Sequence, residues 1–527
     1  MHVLIVWALA VGFTDMRAHA SIDFVNISGD VEKHYIVSSL GGGACFIDYD
    51  GDADLDLYLV NGQRIGSTES PGNRLYRNEG EWRFLDVSER SGASDVGWSI
   101  GCAVGDYDND GASDLYVTNI GANVLYRNRG DGTFEARPSE KKGFGTSAAF
   151  FDADADGDLD LYVASYVDPD LSKLAAPGTD PTCVWLGMPV MCGPKGLDGQ
   201  ADVFYRNESG RFVDATDNAG LTDRSLAFGL GVVSGDYDLD GDIDLYVAND
   251  THPNFLYQND GSGKFREVGL LSGAAYNLSG STEAGMGVDF GDVDADGRPD
   301  LFVTNFSHET NTLYMGSDVG MFTDESEERG LGTTSLGWLG WGAGFADFDN
   351  DGDEDLFVAN GHVYPNVESA DDSTTYLQKN QIFENDGTGN FGDALLLDEE
   401  ASSRGAAFGD IDDDGDIDAV VINIESQPSI LRNDAESAEH FLGVVLVGTV
   451  SNRDGYGARV SITSGEHTQV KLAGSDGSIF SANDGRVHFG LGEVDSLEEL
   501  RVEWPSGTTT VLTDVLAGAY LLVVEGE

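Results

Sequence analysis

Seven times along 527 residues, aspartates occupy the first, third, fifth and ninth places of a nine-residue stretch. The sets are Asp48, Asp50, Asp52, Asp56; Asp106, Asp108, Asp110, Asp114; Asp152, Asp154, Asp156, Asp160; and Asp236, Asp238, Asp240, Asp244. Three more follow: Asp292, Asp294, Asp296, Asp300; Asp347, Asp349, Asp351, Asp355; and Asp410, Asp412, Asp414, Asp418. Glycine holds the sixth place in six of them, whereas the first has Ala53. Alternate residues of a tight loop turn their carboxylates inward, glycine permits the sharp bend, and a carbonyl near the seventh place adds an oxygen. Calcium takes six to eight oxygens at roughly 2.3–2.6 Å, which such a loop supplies. Without a cation the four carboxylates would repel one another. The pattern therefore predicts about seven bound calcium ions. An EF-hand would close with a glutamate at its twelfth place between two helices; here a strand-like run such as Leu115-Tyr116-Val117 follows instead.

Four short strands per repeat must position each loop. A glycine-rich apolar run (101–105 in the second repeat) leads into the acidic loop, and Leu-Tyr-Val leaves it. Next come an Asn-x-Leu-Tyr-x-Asn phrase (123–128), a glycine turn and a Phe-x-Asp strand such as Phe84-Leu85-Asp86. Strands of this length between Gly, Asn and Asp turns, with loop starts 58, 46, 84, 56, 55 and 63 residues apart, predict the blades of a β-propeller. The expected fold is all-β: a seven-bladed propeller over 13–438, then a small all-β domain over 439–527 where the acidic loops cease. The seventh repeat lacks its Phe-x-Asp strand, while Phe13-Thr14-Asp15 stands unpartnered at the other end of the chain. Pairing it beside 430–433 would close the ring and remove an exposed edge.

The 84-residue interval carries an insertion, 165–202, in the connection from second to third strand. Cys183 and Cys192 lie there, and in an exported protein their spacing reads as a disulfide limiting loop entropy. Cys45 and Cys102, on opposite faces of equivalent strands, are expected to be separate buried thiols. The same connection carries His252, His308 and His362 in three successive blades, with Tyr364 close by. These residues, at the end opposite the acidic loops, form a possible ligand face, with a soft or borderline metal near the channel mouth as one alternative and hydrogen bonding to loop backbone as the other. The Gly97-Trp98-Ser99-Ile100-Gly101 sequence matches a nucleophile elbow, but it leads into a blade strand rather than a strand-to-helix turn.

With 93 acidic and 29 basic residues the formal net charge is −64. Seven calcium ions would leave about −50, a surface that repels nucleic acid and anionic membranes. No apolar stretch is long enough to span a bilayer. Residues 1–12 read as a truncated signal-like segment without its basic start, implying a secreted or cell-surface protein.

The acidic loops together with Asn-x-Leu-Tyr-x-Asn resemble FG-GAP/VCBS repeats, seen also in integrin α-chain propellers. The stretch 451–460, with 488–492 and Val502-Glu503-Trp504-Pro505-Ser506-Gly507, is similar to the ASPIC/UnbV domain. Residues 183–193 and Asn360-Gly361-His362-Val363-Tyr364-Pro365 resemble bacterial members of the cartilage acidic protein family. The resemblance implies a secreted calcium-binding propeller engaged in adhesion, with no catalytic residues carried over. Two functions follow: a non-catalytic binding protein for an extracellular protein or glycan, or a carbohydrate-active enzyme like some polysaccharide lyases. The second would need bases converging on the histidine face, where Lys195, Tyr166, His252 and Tyr364 stand. The sequence leaves the partner and the oligomeric state open.

Overall fold

Apolar residues at alternate positions, broken by glycine and asparagine turns, give each repeat four antiparallel strands. In blade one these are Ala44–Ile47, Asp56–Leu59, Arg74–Asn78 and Phe84–Asp86. Their register pairs Ile47 with Asp56, Leu57 with Tyr76 and Asn78 with Phe84. This computed structural model describes residues 11–527 apart from 68–69, 169, 171–172, 174–178, 195, 223–225, 318, 436–439 and 466.

The pairing resolves into seven such units. The innermost strands, starting at Ala44, Trp98, Gly145, Gly229, Val288, Gly340 and Ser403, each touch the next, and the last returns to the first. Phe13–Asp15 is the outer strand of the seventh unit, with Phe13 opposite Asn433 and Asp15 opposite Leu431. Val11 is already buried in this core, so the packed body begins two residues before the expected start; residues 1–10 of the signal-like segment lie outside the described residues. Blades two and three are continuous. The long strand Phe134–Phe151 supplies the outer strand of one (134–138) and the inner strand of the next (145–151).

Cys45 and Cys102 are not separate thiols: they form a disulfide, with Cα atoms 6.3 Å apart. Adjacent blades pack face against face, so side chains that meet across the gap must stand on opposite faces of equivalent strands. That orientation favours the bridge. The bond closes a 57-residue interval, and the chain-entropy estimate for such a loop is about 4 kcal/mol. Replacing both cysteines by alanine should lower the unfolding free energy by about that amount, as read from urea denaturation. Cys183–Cys192 is the second disulfide.

From His440 the chain forms two sheets facing a shared core that includes Leu442, Val460, Phe489 and Trp504. One sheet orders Val487–Gly492, His440–Val447 and Ala519–Val524; the other orders His467–Leu472, Arg459–Ser464, Ser496–Glu503 and Thr509–Leu516. The expected domain boundary at 438/439 lies outside the described residues.

Between the two sheets, residues 474–485 leave this domain and fill the propeller's centre. The Cys102 N–H donates to the Phe480 carbonyl at 3.0 Å, Phe46 to Ala482 at 3.1 Å and Val288 to Ser478 at 3.0 Å. The Ser234 N–H donates to Asp476 Oδ2 at 2.8 Å, and the Phe408 N–H to Asn483 Oδ1 at 3.1 Å. Phe480 is fully buried among Trp98, Ile100, Phe144, Leu230, Met286 and Trp341. The glycines of the inner strands allow this approach: a Cβ on Gly43 would lie 1.8 Å from the Phe480 carbonyl oxygen. From the other end, Ile36, Val37 and Leu40 pack on the same cluster.

Candidate functional site

Every acidic loop folds around its own first and ninth carboxylates. Asp106 Oδ1 accepts the N–H of Asp110 at 3.0 Å, and Oδ2 that of Gly111 at 2.7 Å. Asp114 accepts from Tyr107 at 3.2 Å and from Asn128 at 2.6 Å, tying the loop to the third strand. The same bonds recur about Asp48, Asp152, Asp236, Asp292, Asp347 and Asp410. Burial pushes the ninth-place carboxyls up, Asp114 and Asp244 to about 9 and Asp56, Asp160 and Asp300 to about 8. Neighbouring carboxylates add to the shift, as expected where a cation's charge would be needed to keep all of them ionised.

The third-place aspartates show how a cation would fit. In five loops one oxygen is held from outside by an arginine or glutamine side chain: Asp108 Oδ2 by Arg127, Asp154 Oδ2 by Arg206 at 3.3 Å, Asp238 Oδ2 by Gln258 at 2.7 Å, Asp294 Oδ2 by Arg329 at 3.6 Å and Asp50 Oδ2 by Arg77 at 3.9 Å. In each of these the other oxygen, Oδ1, is buried without a hydrogen-bond donor. A buried acceptor left unpaired is destabilising by about 1–3 kcal/mol, more when charged, so five repetitions of it fit a donor set built for an ion. In several loops three of the carboxylates offer oxygens within 4.8 Å of one another, among them Asp48, Asp50 and Asp56.

At the opposite end, Cys183–Cys192 braces a hairpin in which Val184 pairs with Pro189 and Trp185 with Met188. The Trp185 ring lies 5.6 Å from His308, 5.5 Å from His362 and 5.9 Å from Tyr364. Two of the three histidines therefore gather beneath one tryptophan; His252 instead packs on Phe255 at 5.9 Å. The His308 and His362 rings are both held by hydrogen bonds. His362 Nδ1 accepts the Tyr364 N–H at 3.1 Å, its Nε2 faces Ser307 Oγ at 3.1 Å, and burial lowers its pKa to about 3. His308 Nε2 pairs with Asp371 at 2.6 Å. Tyr166 is buried, its hydroxyl bonded to Asp250, and Lys195 lies outside the described residues. Of the bases named for the enzymatic alternative, Tyr166 and Tyr364 both lie near Asp250, while His252 packs on Phe255.

Residues 448–527 match the family described as ASPIC and UnbV, and residues 48–117, 106–163, 236–303 and 292–358 match the FG-GAP-like repeat. The chain is an FG-GAP-repeat protein with a C-terminal ASPIC/UnbV domain. Cartilage acidic protein 1 of Homo sapiens is 24% identical over 556 residues, covering 99% of this chain and 78% of that protein. The Mus musculus protein of that name is 24% identical over 502 residues, covering 89% and 71% respectively. The Xenopus tropicalis one is 23% identical over 512 residues, with the same two shares. No helix among the described residues is long and apolar enough to cross a membrane.

The ASPIC/UnbV domain sits directly on the acidic loops of the FG-GAP propeller. Asp454 Oδ2 accepts the Asp106 N–H at 2.6 Å, Tyr520 donates to Asp410 Oδ2 at 2.7 Å, and Lys471 pairs with Glu354 at 2.9 Å. These contacts, Trp185 and the third-strand arginines escaped the sequence reading. Only the last left a signal, a basic residue recurring at the second variable place of Asn-x-Leu-Tyr-x-Asn.

Proposed function

We propose that this chain is an extracellular, non-catalytic binding protein whose FG-GAP propeller holds about seven calcium ions. It would meet an extracellular protein or glycan with the face opposite those ions. The observation carrying the calcium assignment is the buried, donor-free Oδ1 of Asp50, Asp108, Asp154, Asp238 and Asp294. The first-, third-, fifth- and ninth-place aspartates of each loop would hold the ion, with the bonds from Arg127 and its counterparts orienting the third. When bound, calcium supplies charge neutralisation that rigidifies each blade's first turn. Two disulfides, in the cartilage acidic protein relatives' company, support an extracellular setting. Metal analysis after exhaustive dialysis should return close to seven calcium ions per chain, and none would refute the assignment.

The binding face is supported by the disulfide-braced Trp185 hairpin. Beside the partly exposed Trp185, Val184 is 52% and Leu186 60% exposed, on a frame fixed from below by His308, His362 and Tyr364. Tryptophans set on rigid supports are typical interface anchors. Ligands found by a glycan array or by pull-down from the native medium should bind Trp185→Ala at least about ten-fold more weakly. Saturable binding without turnover is expected; unsaturated sugar product would instead establish the lyase alternative.

A further inference from the structure

The seven acidic loops do not share the same electrostatic setting, and the difference is written at one strand position. The residue just before the one whose N–H binds the ninth-place aspartate is Arg77, Arg127, Arg206, Gln258, Met315, Glu384 and Arg432 in blades one to seven. Its equivalence across blades is fixed by the bond beside it: the following residue donates its N–H to the ninth-place aspartate in every case, including Asn128 to Asp114 at 2.6 Å and Asn385 to Asp355 at 2.9 Å. From this position Arg127 reaches both Asp108 and Asp110, Arg206 reaches Asp154, and Gln258 reaches Asp238 without charge.

Blade six reverses the sign at this strand position, while Lys471 from the C-terminal domain sets one positive charge beside its Glu354 and Asp347. Where four blades place a guanidinium, Glu384 adds a carboxylate, and its Oε1 is buried with no hydrogen-bond donor. The loop beside it is already among the most acidic, with Asp353 and Glu354 added to its four aspartates. A carboxylate with an unpaired, desolvated oxygen beside such a loop is destabilising unless a cation offsets it. An arginine on the third-place aspartate does the opposite, competing with an incoming divalent ion for the same oxygens. Calcium affinity in oxygen-ligand loops is tuned over orders of magnitude by ligand charge count.

We infer that Glu384 makes the blade-six loop the tightest calcium site of the propeller, and that the loops of blades one, two and three, whose third-place aspartates are held by Arg77, Arg127 and Arg206, are weaker. Blade four, with neutral Gln258, ranks between them. This ordering rests on the calcium assignment proposed above and adds a named residue to it. It places the tightest ion where the ASPIC/UnbV domain docks, since Lys471 pairs with Glu354 and the Gly492 N–H donates to the Asn350 carbonyl at 2.8 Å.

Isothermal titration of the full, metal-stripped chain with calcium chloride tests it. The wild type should titrate in at least two classes, a single tight site followed by weaker ones. Glu384→Gln, which keeps the shape and removes the charge, should weaken the tight class about ten-fold or more. Gln258→Glu should do the reverse and raise the tight class from one ion to two, so that a gain of binding accompanies the loss. Near-ultraviolet circular dichroism of each calcium-loaded variant confirms that the fold is retained. A single uniform class in the wild type, or a tight class that Glu384→Gln leaves intact, overturns the ordering while the calcium assignment stands. No calcium binding by the wild type overturns both.

Discussion

Adding a calcium chelator is expected to lower the melting temperature by more than about 15 °C, and restoring calcium should reverse the change. An ion bound only to the native state stabilises it by about 2.7 kcal/mol at a hundred-fold excess over its dissociation constant. Seven such sites would sum to roughly 19 kcal/mol, more than the whole stability of an ordinary domain. The carboxylates themselves indicate the direction of the change. Asp114 and its counterparts are buried beside like charges, so removing the proposed ions would leave repulsion inside every first turn. Asp110→Ala removes one ligand from one loop and should lower the melting temperature by only a small part of the chelator's effect. Differential scanning calorimetry with and without chelator checks both, and an unchanged curve would remove calcium from the account of stability.

Phe480→Ala is expected to lower the unfolding free energy by about 4 kcal/mol, within the range for truncating a buried phenylalanine. Phe480 has no exposed surface and packs against residues from several blades at once, so no neighbour can move in without disturbing the ring. Its backbone also serves the fold: the Phe480 carbonyl accepts from Cys102, and its N–H donates to Ser147 Oγ at 2.9 Å. A control at Leu516, which is 73% exposed, should change stability by no more than about 0.5 kcal/mol. Urea denaturation compares the two. If the two variants were equal, the segment 474–485 would be a passenger in the channel.

The acidic loops and the ring that carries them were legible because both repeat. A phrase found seven times averages out local accidents, and its one displaced member, Phe13-Thr14-Asp15, pointed to its partner strand across the length of the chain. What stayed hidden has no period. Cys45 and Cys102 bridge because blades face one another, a relation between repeats that no single repeat encodes. The segment 474–485 is held by backbone groups of residues far away in sequence, as in the Phe46 N–H to Ala482 bond, and backbone groups are the same in any sequence. Trp185 was masked for a different reason. It lies in an insertion present once, where nothing else in the chain offers a template. The histidine triplet misled because recurrence at equivalent connections does not imply convergence, and His252 packs apart from the pair beneath Trp185.

The filled channel also dictates an order of assembly. The outermost strand of the seventh blade is made more than four hundred residues before its partner, Ser429–Asn433. The inner edges of six blades then wait longer still, for the segment 474–485. Neither closure can occur before these later segments have been synthesised, and until then the Phe46, Cys102 and Val288 N–H groups lack the carbonyls that accept their hydrogen bonds. Such a nascent chain stays open until both segments have been made and locks only then. Fragments ending before residue 474 would emerge with those edges bare and be cleared by proteases rather than accumulate.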